Sequence, residues 1–362
     1  MRIAIIDDGV DTSFFKKKCI RLKVDNQKVI ANHNEQPAKL THSTIILGII
    51  DEWQTQPNKH EYINIKIMEP EQLTTQLQSL ITALNWCLHN SIDLIHLSIG
   101  STLYYDKYQL KTILNKIEKQ GVVIVAALSN EYKISYPASL SGVIGVKYSD
   151  SLNECDIQFN PNPLDGIEIS TGCKDRIFEH DIIPCNSYAA ATITGMILKS
   201  FSVLNTSAIL SYFRKKSNDF YNVKAYSKYG DIYNVPCIKY TSEYSSDLKS
   251  YMASLNKKFS DYGYHSIVIT PNYQNISNDI FAISQNFREA LNQLNRLVYM
   301  SDPDLVLIDS CIVTDCCYVD FDIIIKSDSL NIFNMDFRYD FQLPKTETMN
   351  FVVEKILKCY HK

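Results

Sequence analysis

The sequence predicts an α/β protein: a doubly wound parallel sheet flanked by helices, followed by a second, smaller α/β domain. Up to residue 216, uniformly apolar runs of strand length alternate with stretches in which leucine and isoleucine recur every three or four residues. Such runs are typical of parallel strands buried on both faces, and such stretches of amphipathic helices. The alternation restarts after a polar, aromatic stretch at 215–234, so we place the domains at 1–218 and 219–362.

The first domain is predicted to alternate strands with helices. Its predicted strands are 2–6, 63–68, 94–99 and 122–127, and its predicted helices are 73–88, 110–117, 188–201 and 205–216. In open parallel sheets, ligands bind outside the carboxyl ends of the strands. Asp7, Ser98 and Asn130 each come at or just past the carboxyl end of a predicted strand. We therefore expect the chemistry of the protein at this edge.

The second domain is predicted from the same periodicities. Its predicted strands are 235–240, 266–270, 305–309, 321–325 and 332–337, and its predicted helices are 246–259, 287–298 and 347–360. The order of the first elements resembles that of P-loop nucleotide-binding domains. The loop at 241–246, however, has no glycine and no Gly-Lys-Ser/Thr, so it lacks the backbone that cradles phosphates. Nucleotide binding is not expected there.

Composition excludes several classes of function. The formal net charge of -4 gives no electrostatic footprint for nucleic acid or an anionic membrane, and Lys16, Lys17 and Lys18 are interpreted as a solvated loop face. No apolar run approaches the ~20 residues that span a bilayer. The chain has no recognisable secretory signal, so a cytoplasmic location is expected.

The ten cysteines are scattered through the chain, and in the cytosol we expect most of them to be reduced. One cluster, Cys311, Cys316 and Cys317, lacks the paired spacing of a zinc site. The sequence therefore predicts no metal site and no cofactor.

Three residues have the side chains of an acyl-transfer site. A serine hydroxyl needs a base to accept its proton, an acid to orient the base, and donors for the oxyanion. Ser187, His42 and Asp7 can fill the first three roles. Each also has a plainer interpretation taken alone: Asp7 as a turn or cap residue, His42 as a structural histidine after the cap Thr41, and Ser187 as a helix cap.

Several segments together resemble the subtilase family of serine peptidases over about residues 1–216. The order Asp, His, Ser is that of subtilisin and differs from the orders in chymotrypsin and the α/β-hydrolases. The similar segments, in the order of the family, are Ile3 to Asp11, His42 to Gly48, Ala83 to Gly100, Gly121 to Glu131, Tyr136 to Val146 and Ser187 to Gly195. Six ordered matches favour the family over three unrelated polar residues.

The resemblance implies a subtilisin-like fold and a role for each matching residue. Asp7, His42 and Ser187 would form the triad, and the Asn130 side chain would join the backbone N–H of Ser187 in an oxyanion hole. The segment Ser98, Ile99 and Gly100 would pair with an extended peptide by strand addition.

Some positions differ from the family pattern without removing a catalytic group. Side chains stand where the family has glycine at Ser43, Ser101, Ser129 and Cys185, and other replacements are Leu128, Asn186 and Ala191. Glycine matters where backbone approaches a ligand closely. These changes are expected to narrow the cleft or alter its selectivity.

Two functions from different classes follow. The first is a serine endopeptidase, expected from the apparent lack of a pro-segment and calcium loop to be a dedicated processing or leader-peptide protease. The alternative is a catalytically inactive scaffold of the same fold that binds a peptide or a partner enzyme in a maturation complex. The expected partner is an extended peptide or protein, with no nucleic acid and no membrane. The second domain is expected to recognise the substrate or other maturation proteins.

Overall fold

The computed structural model describes most of the chain. The described residues are 1–33, 40–56, 59–69, 75–217, 232–242, 245–271, 273–312, 321–325, 329–334, 337–342 and 347–360. The chain divides into two compact units, Met1–Asn222 and Val223–Lys362. The boundary predicted at 218 falls in 218–231, outside the described residues, as do Cys316 and Cys317.

The first unit alternates strands and helices as expected. Its strands are β1 (Arg2–Asp7), β2 (Cys19–Asp25), β3 (Lys28–Ala31), β4 (Glu61–Lys66), β5 (Leu94–Leu97), β6 (Val123–Ala127), β7 (Ile144–Tyr148), β8 (Ile157–Phe159), β9 (Ile169–Thr171), β10 (Arg176–Ile177) and β11 (His180–Asp181). Its helices are α1 (His42–Glu52), α2 (Leu77–Leu88), α3 (Asp106–Lys119), α4 (Asn186–Ser200) and α5 (Thr206–Lys216).

Among the described residues, the main sheet of this unit runs β3-β2-β4-β1-β5-β6-β7-β9-β8. The seven inner strands of this order, from β2 to β9, are parallel to their neighbours. The two edge strands are antiparallel, with β3 paired to β2 and β8 paired to β9. The predicted parallel sheet is thus confirmed. Strand β1 lies between β4 and β5, with Ile6 opposite Leu97, so the carboxyl ends of β1 and β5 are neighbours.

Helices α1 and α4 pack together on the core of this sheet. Residues 186–198 of α4 are all buried, which is typical of a helix enclosed by its own domain. A side chain at Gly195 would meet the Trp53 ring at 2.5 Å, so glycine permits this close approach. The packing holds the first turns of both helices at the carboxyl edge of the sheet.

The second unit is a separate α/β fold. Its strands are β12 (Cys237–Ser242), β13 (Ser266–Thr270), β14 (Ile280–Ala282), β15 (Leu305–Asp309), β16 (Phe321–Ile325), β17 (Ser329–Asn334) and β18 (Phe337–Gln342). Its helices are α6 (Ser245–Asp261), α7 (Phe287–Ser301) and α8 (Glu347–Tyr360), with short 3-10 turns at Ile232–Asn234 and Ile276–Asn278. The described sheet order is β14-β13-β15-β12-β16-β17-β18, with the last two strands antiparallel.

The hairpin β2–β3 is the clearest element that the sequence did not predict. Asn26 and Gln27 connect its strands with φ values of 47° and 58°. Positive φ at both residues of a two-residue connection suits the twist of a hairpin, but the usual glycine signal is absent from this turn. No helix in the part of the chain that the structure describes is long and apolar enough to cross a bilayer.

Candidate active site

The first pair of site residues comes from β1 and α1. Asp7 is the last residue of β1 and is buried, and His42 is the first residue of α1. The Nδ1 atom of His42 lies 2.8 Å from Oδ2 of Asp7. Asp7 also accepts hydrogen bonds from the Ser98 hydroxyl and, at 2.7 Å, from the backbone N–H of Asp8. These donors hold the carboxylate ionised and fix the face of the imidazole that it contacts.

Asp8 positions the helix that carries the base. Its carboxylate accepts the backbone N–H groups of His42 at 3.0 Å and of Ser43 at 2.7 Å. These are otherwise unpaired donors of the first helical turn, and the helix dipole favours a negative charge beside them. Thr41 is the N-cap, as predicted, and accepts from the Thr44 N–H.

Ser43 belongs to the same buried network. Its hydroxyl donates to the Asp8 carbonyl oxygen at 2.6 Å and accepts from the Asn64 side-chain amide at 2.9 Å. Asn64 also bonds the Asp8 carbonyl and the Val10 N–H. The Ser43 side chain therefore stabilises the turn after β1. It is not among the cleft-lining residues, so the expectation that it narrows the cleft is wrong at this position.

Ser187 lies in the first turn of α4. The cap of that helix is Cys185, without a side-chain cap bond, and Ser187 is the second helical residue. Its backbone N–H therefore belongs to the first turn, whose donors have no partner within the helix. Tyr188, the next residue, packs its ring 5.4 Å from the His42 ring. Ser187 and His42 line the same cleft.

Asn130 is tied to the start of α4. Its side-chain oxygen accepts the Asn186 N–H at 3.2 Å, which leaves the NH₂ group as its donor. Asn186 in turn donates its amide to the Ser129 carbonyl at 2.9 Å and accepts the Tyr148 N–H at 2.7 Å. The loop after β6 and the nucleophile helix thus hold each other in place.

The cleft has a volume of about 810 Å³. Its lining includes Asp7, Asp8, His42, Met68, Leu80, Ser98, Ile99, Gly100, Ser101, Leu103, Asp106, Ala127, Leu128, Ser129, Asn130, Ser135 and Ser187. All seven site residues predicted from the sequence are among them. Ser101 pairs with Tyr136 through two backbone hydrogen bonds of 2.8 Å. A side chain at Gly100 would lie 2.9 Å from the Tyr136 carbonyl oxygen, so glycine is required there for this pairing.

Electrostatics distinguish the two partners of the Asp7–His42 pair. Burial alone raises the pKa of Asp7, but the charge and hydrogen bond of His42, with the Ser98 and Asp8 bonds, lower it overall. Burial alone lowers the pKa of His42, but the charge and hydrogen bond of Asp7, with smaller contributions from Cys185 and Asp8, raise it. The pair therefore favours Asp7 as the anion and increases the basicity of His42.

A second buried histidine lies beneath the site. His96 on β5 is 0% exposed, and its Nδ1 is 2.9 Å from the Thr194 hydroxyl of α4. That hydroxyl donates to the Ala190 carbonyl, so it accepts from His96, and Nε2 is left without a partner. Burial lowers the pKa of His96 to about 4, so it is neutral at physiological pH.

Sequence reasoning missed Asp8, Asn64 and Asn186. Asp8 follows the candidate acid directly and looked like part of a turn, and Asn64 lies within a strand of β-branched residues. Their roles depend on contacts between segments separated by 35 to 57 residues. The Asp-Asp pair after a buried strand is the one local signal that could have identified Asp8.

Comparison with known proteins gives matches of limited extent. The chain is 30% identical over 127 residues to the minor extracellular protease Epr of Bacillus subtilis, covering 31% of this chain and 18% of Epr. It is 24% identical over 167 residues to subtilisin of Bacillus pumilus, covering 42% and 58% of the two chains. The chain thus spans less than two thirds of the length of these relatives.

Solved structures with similar folds include a cold-adapted subtilisin-like serine proteinase, with a TM-score of 0.46 and 13% identity over 60% of this chain and 84% of the other. Another is the prenylagaramide maturation protease PagA, with a TM-score of 0.40 and 18% identity over 60% and 78%. The model of the subtilase family matches residues 1–302, which extends past the first compact unit. Since this match covers most of the chain, the protein belongs to the subtilase family.

Proposed function

We propose that this subtilase is a serine endopeptidase that cleaves peptide bonds with an Asp7–His42–Ser187 triad. The observation that carries the proposal is the 2.8 Å contact between His42 and a buried, multiply bonded Asp7, on a cleft that Ser187 and Asn130 also line. The inactive-scaffold alternative has no comparable support, because each of the four catalytic groups is present.

The mechanism assigns one task to each group. Neutral His42 takes the Ser187 proton as the hydroxyl attacks the carbonyl carbon, and Asp7 stabilises the imidazolium that forms. The Asn130 amide and the Ser187 backbone N–H bind the oxyanion, and such a donor contributes about 10² to 10³ in kcat. His42 then gives its proton to the leaving amine. Water, activated by the same base, releases the acyl enzyme.

We further propose a restricted substrate range, typical of a processing protease that cuts a leader segment. Ser101, Leu128 and Ser129 are among the residues that line the cleft, at positions where the resemblance to subtilases implies glycine or alanine. Side chains there leave less room for a substrate. The segment from Ser98 to Gly100 would pair with an extended peptide.

A mixed peptide library tests this range. We expect mass spectrometry to find cuts at a few related sequences, with casein left largely intact under the same conditions. The Ser187→Ala protein is the control for contaminating peptidases. Rapid, indiscriminate degradation of casein by wild-type protein would contradict the dedicated role without affecting the triad.

The pH profile should report the basicity of His42. Since Asp7 raises the pKa of His42 above the ordinary value of 6.5, the base stays protonated to a higher pH than free imidazole. We therefore expect kcat/KM for a short peptide to rise with pH through a midpoint above 6.5. A midpoint at or below 6.5 would contradict the contact with Asp7.

Acid unfolding must be separated from this titration. His96 is neutral in the folded protein with a pKa lowered to about 4, so the stability that it contributes is present above 6.5 and declines as pH falls towards 4. Circular dichroism at each pH, and recovery of activity on return to pH 8, identify the range in which the fold is intact.

The location in the cytoplasm and the recognition role of the second unit stay predictions.

A further inference from the structure

A group of exposed apolar and aromatic side chains lies at one end of the cleft. Leu103, Tyr105 and Tyr108, here called the α3 ledge, are 64%, 58% and 47% exposed. Leu103 also lines the cleft, whereas the two tyrosines lie outside it at the start of α3. Of the residues next to them on the helix, Gln109 and Thr112 are exposed and uncharged, and Lys111 is half-buried. Exposed apolar patches beside a cleft commonly mark ligand-binding or interaction surfaces.

The ledge is held rigidly from below. The Lys107 side chain is fully buried, with its Nζ 4.7 Å from the centre of the Tyr104 ring and 5.4 Å from that of Tyr108. The Tyr104 and Tyr108 hydroxyls lie 3.0 Å apart. The Ser101 hydroxyl donates to Asp106 and accepts the Leu103 N–H at 3.1 Å, which ties the cleft segment to α3. A preorganised surface loses little entropy when it binds a partner.

The chemistry of the triad sets the direction of the substrate. His42 must reach the leaving-group nitrogen, so the fragment C-terminal to the cut lies on the His42 side of Ser187. The N-terminal part then runs away from His42, along the segment that begins at Ser98, which contacts Asp7, and continues to Leu103. At about 3.3 Å per residue in a fully extended chain, these five steps span at most roughly 16 Å. An extended substrate therefore has up to about five residues between its cut and Leu103, the near end of the ledge.

We propose that the α3 ledge binds apolar or aromatic side chains of the peptide substrate, about five to eight residues upstream of the scissile bond. The proposal rests on the proposed endopeptidase function and adds a recognition element outside the catalytic cleft. The occupant is the upstream segment of the substrate because the ledge is continuous with the cleft through Leu103. Its chemistry is apolar or aromatic because the exposed side chains of the ledge are one leucine and two tyrosines.

Quenched fluorescent peptides test the proposal. Two peptides share the residues around a cut found with the library and differ only at three of the positions from five to eight upstream. One peptide has two leucines and a phenylalanine there, and the other has three serines. We expect wild-type kcat/KM to favour the apolar peptide by about tenfold, chiefly through KM, as for a small cluster of contact residues. The combined variant Tyr105→Ser, Tyr108→Ser, which leaves the cleft lining untouched, should lose most of this preference and cleave a short peptide at the wild-type rate.

Two variants separate recognition from structure. Tyr108→Phe keeps the ring and should keep the preference. Val203→Ser, at a residue that is 81% exposed and outside the cleft lining, should behave as wild type. Equal kcat/KM for both peptides with wild-type protein would overturn the ledge proposal. So would a combined variant whose kcat/KM falls as much for the short peptide as for the apolar peptide.

A binding measurement tests the ledge proposal independently of the proposed endopeptidase function. Fluorescence polarisation of the two labelled peptides with Ser187→Ala protein needs no turnover. Preferential binding of the apolar peptide, lost in the combined variant, supports the ledge even if hydrolysis is absent. Equal binding of the two peptides contradicts the ledge proposal. In that case, Ser187-dependent cleavage of the short peptide would still support the endopeptidase function.

Discussion

Replacing Ser187 with alanine is expected to lower kcat for peptide hydrolysis by about a millionfold, the loss typical of a triad nucleophile. Without the hydroxyl no acyl enzyme forms, and the oxyanion donors alone leave only a small residual rate. The substitution removes one oxygen atom from a helix that is otherwise buried by apolar packing, so the fold should persist. Initial rates with a quenched peptide measure the effect.

The matched control is Ser200→Ala, near the exposed end of the same helix, where the hydroxyl contacts only the Tyr212 hydroxyl at 3.2 Å in the described structure. It should retain wild-type kcat. Residual hydrolysis by Ser187→Ala within a hundredfold of wild type would mean that another group supplies the nucleophile.

The second large effect is expected for Asp7→Asn, with kcat lowered by about 10⁴. An asparagine has the size of the aspartate but can turn an N–H towards His42, which favours the wrong tautomer of the base. It also removes the charge that raises the pKa of His42. The remaining activity should therefore titrate at a lower pH than that of wild type. Steady-state rates between pH 5 and 10 give both quantities.

Asp8→Asn is the comparison for this variant. Asp8 is adjacent and also buried, but its carboxylate holds the backbone of α1 rather than the imidazole ring. We expect a loss of roughly 1 kcal/mol in the free energy of unfolding, as for other helix caps, and a much smaller change in kcat. Equal losses of kcat in the two variants would contradict the assignment of Asp7 as the orienting acid.

The fold was predictable where a local pattern decides it. The buried strand before Asp7 and the cap Thr41 depend on residues within one segment, and β13, β15, β16 and α8 have the predicted bounds. The β2–β3 hairpin was not predictable, because its turn lacks glycine. The interpretation of Ser187 as a helix cap is off by two residues, because the helix begins at Asn186 with Cys185 as its cap, and Cys185 makes no side-chain cap bond that would signal this position.

The candidate site was predictable to the level of residue type and order, but not its supporting contacts. Asp7 ends a strand, Asn130 lies just after one, and His42 and Ser187 lie in the first turn of a helix; that much can be read along the chain. The bonds that orient them connect β1 to α1, β4 to the turn after β1, and the loop after β6 to α4. Such long-range contacts leave no periodic signal in the sequence.

Labelling with a fluorophosphonate probe tests the central claim most directly, because the probe reacts with a serine only where a base activates it. Intact mass and peptide mapping of the wild-type protein should show one adduct, on Ser187, and none on the Ser187→Ala protein. The Asp7→Asn protein should be labelled much more slowly. Wild-type protein that stays as unlabelled as Ser187→Ala, while folded by circular dichroism, would contradict an activated triad serine in this subtilase.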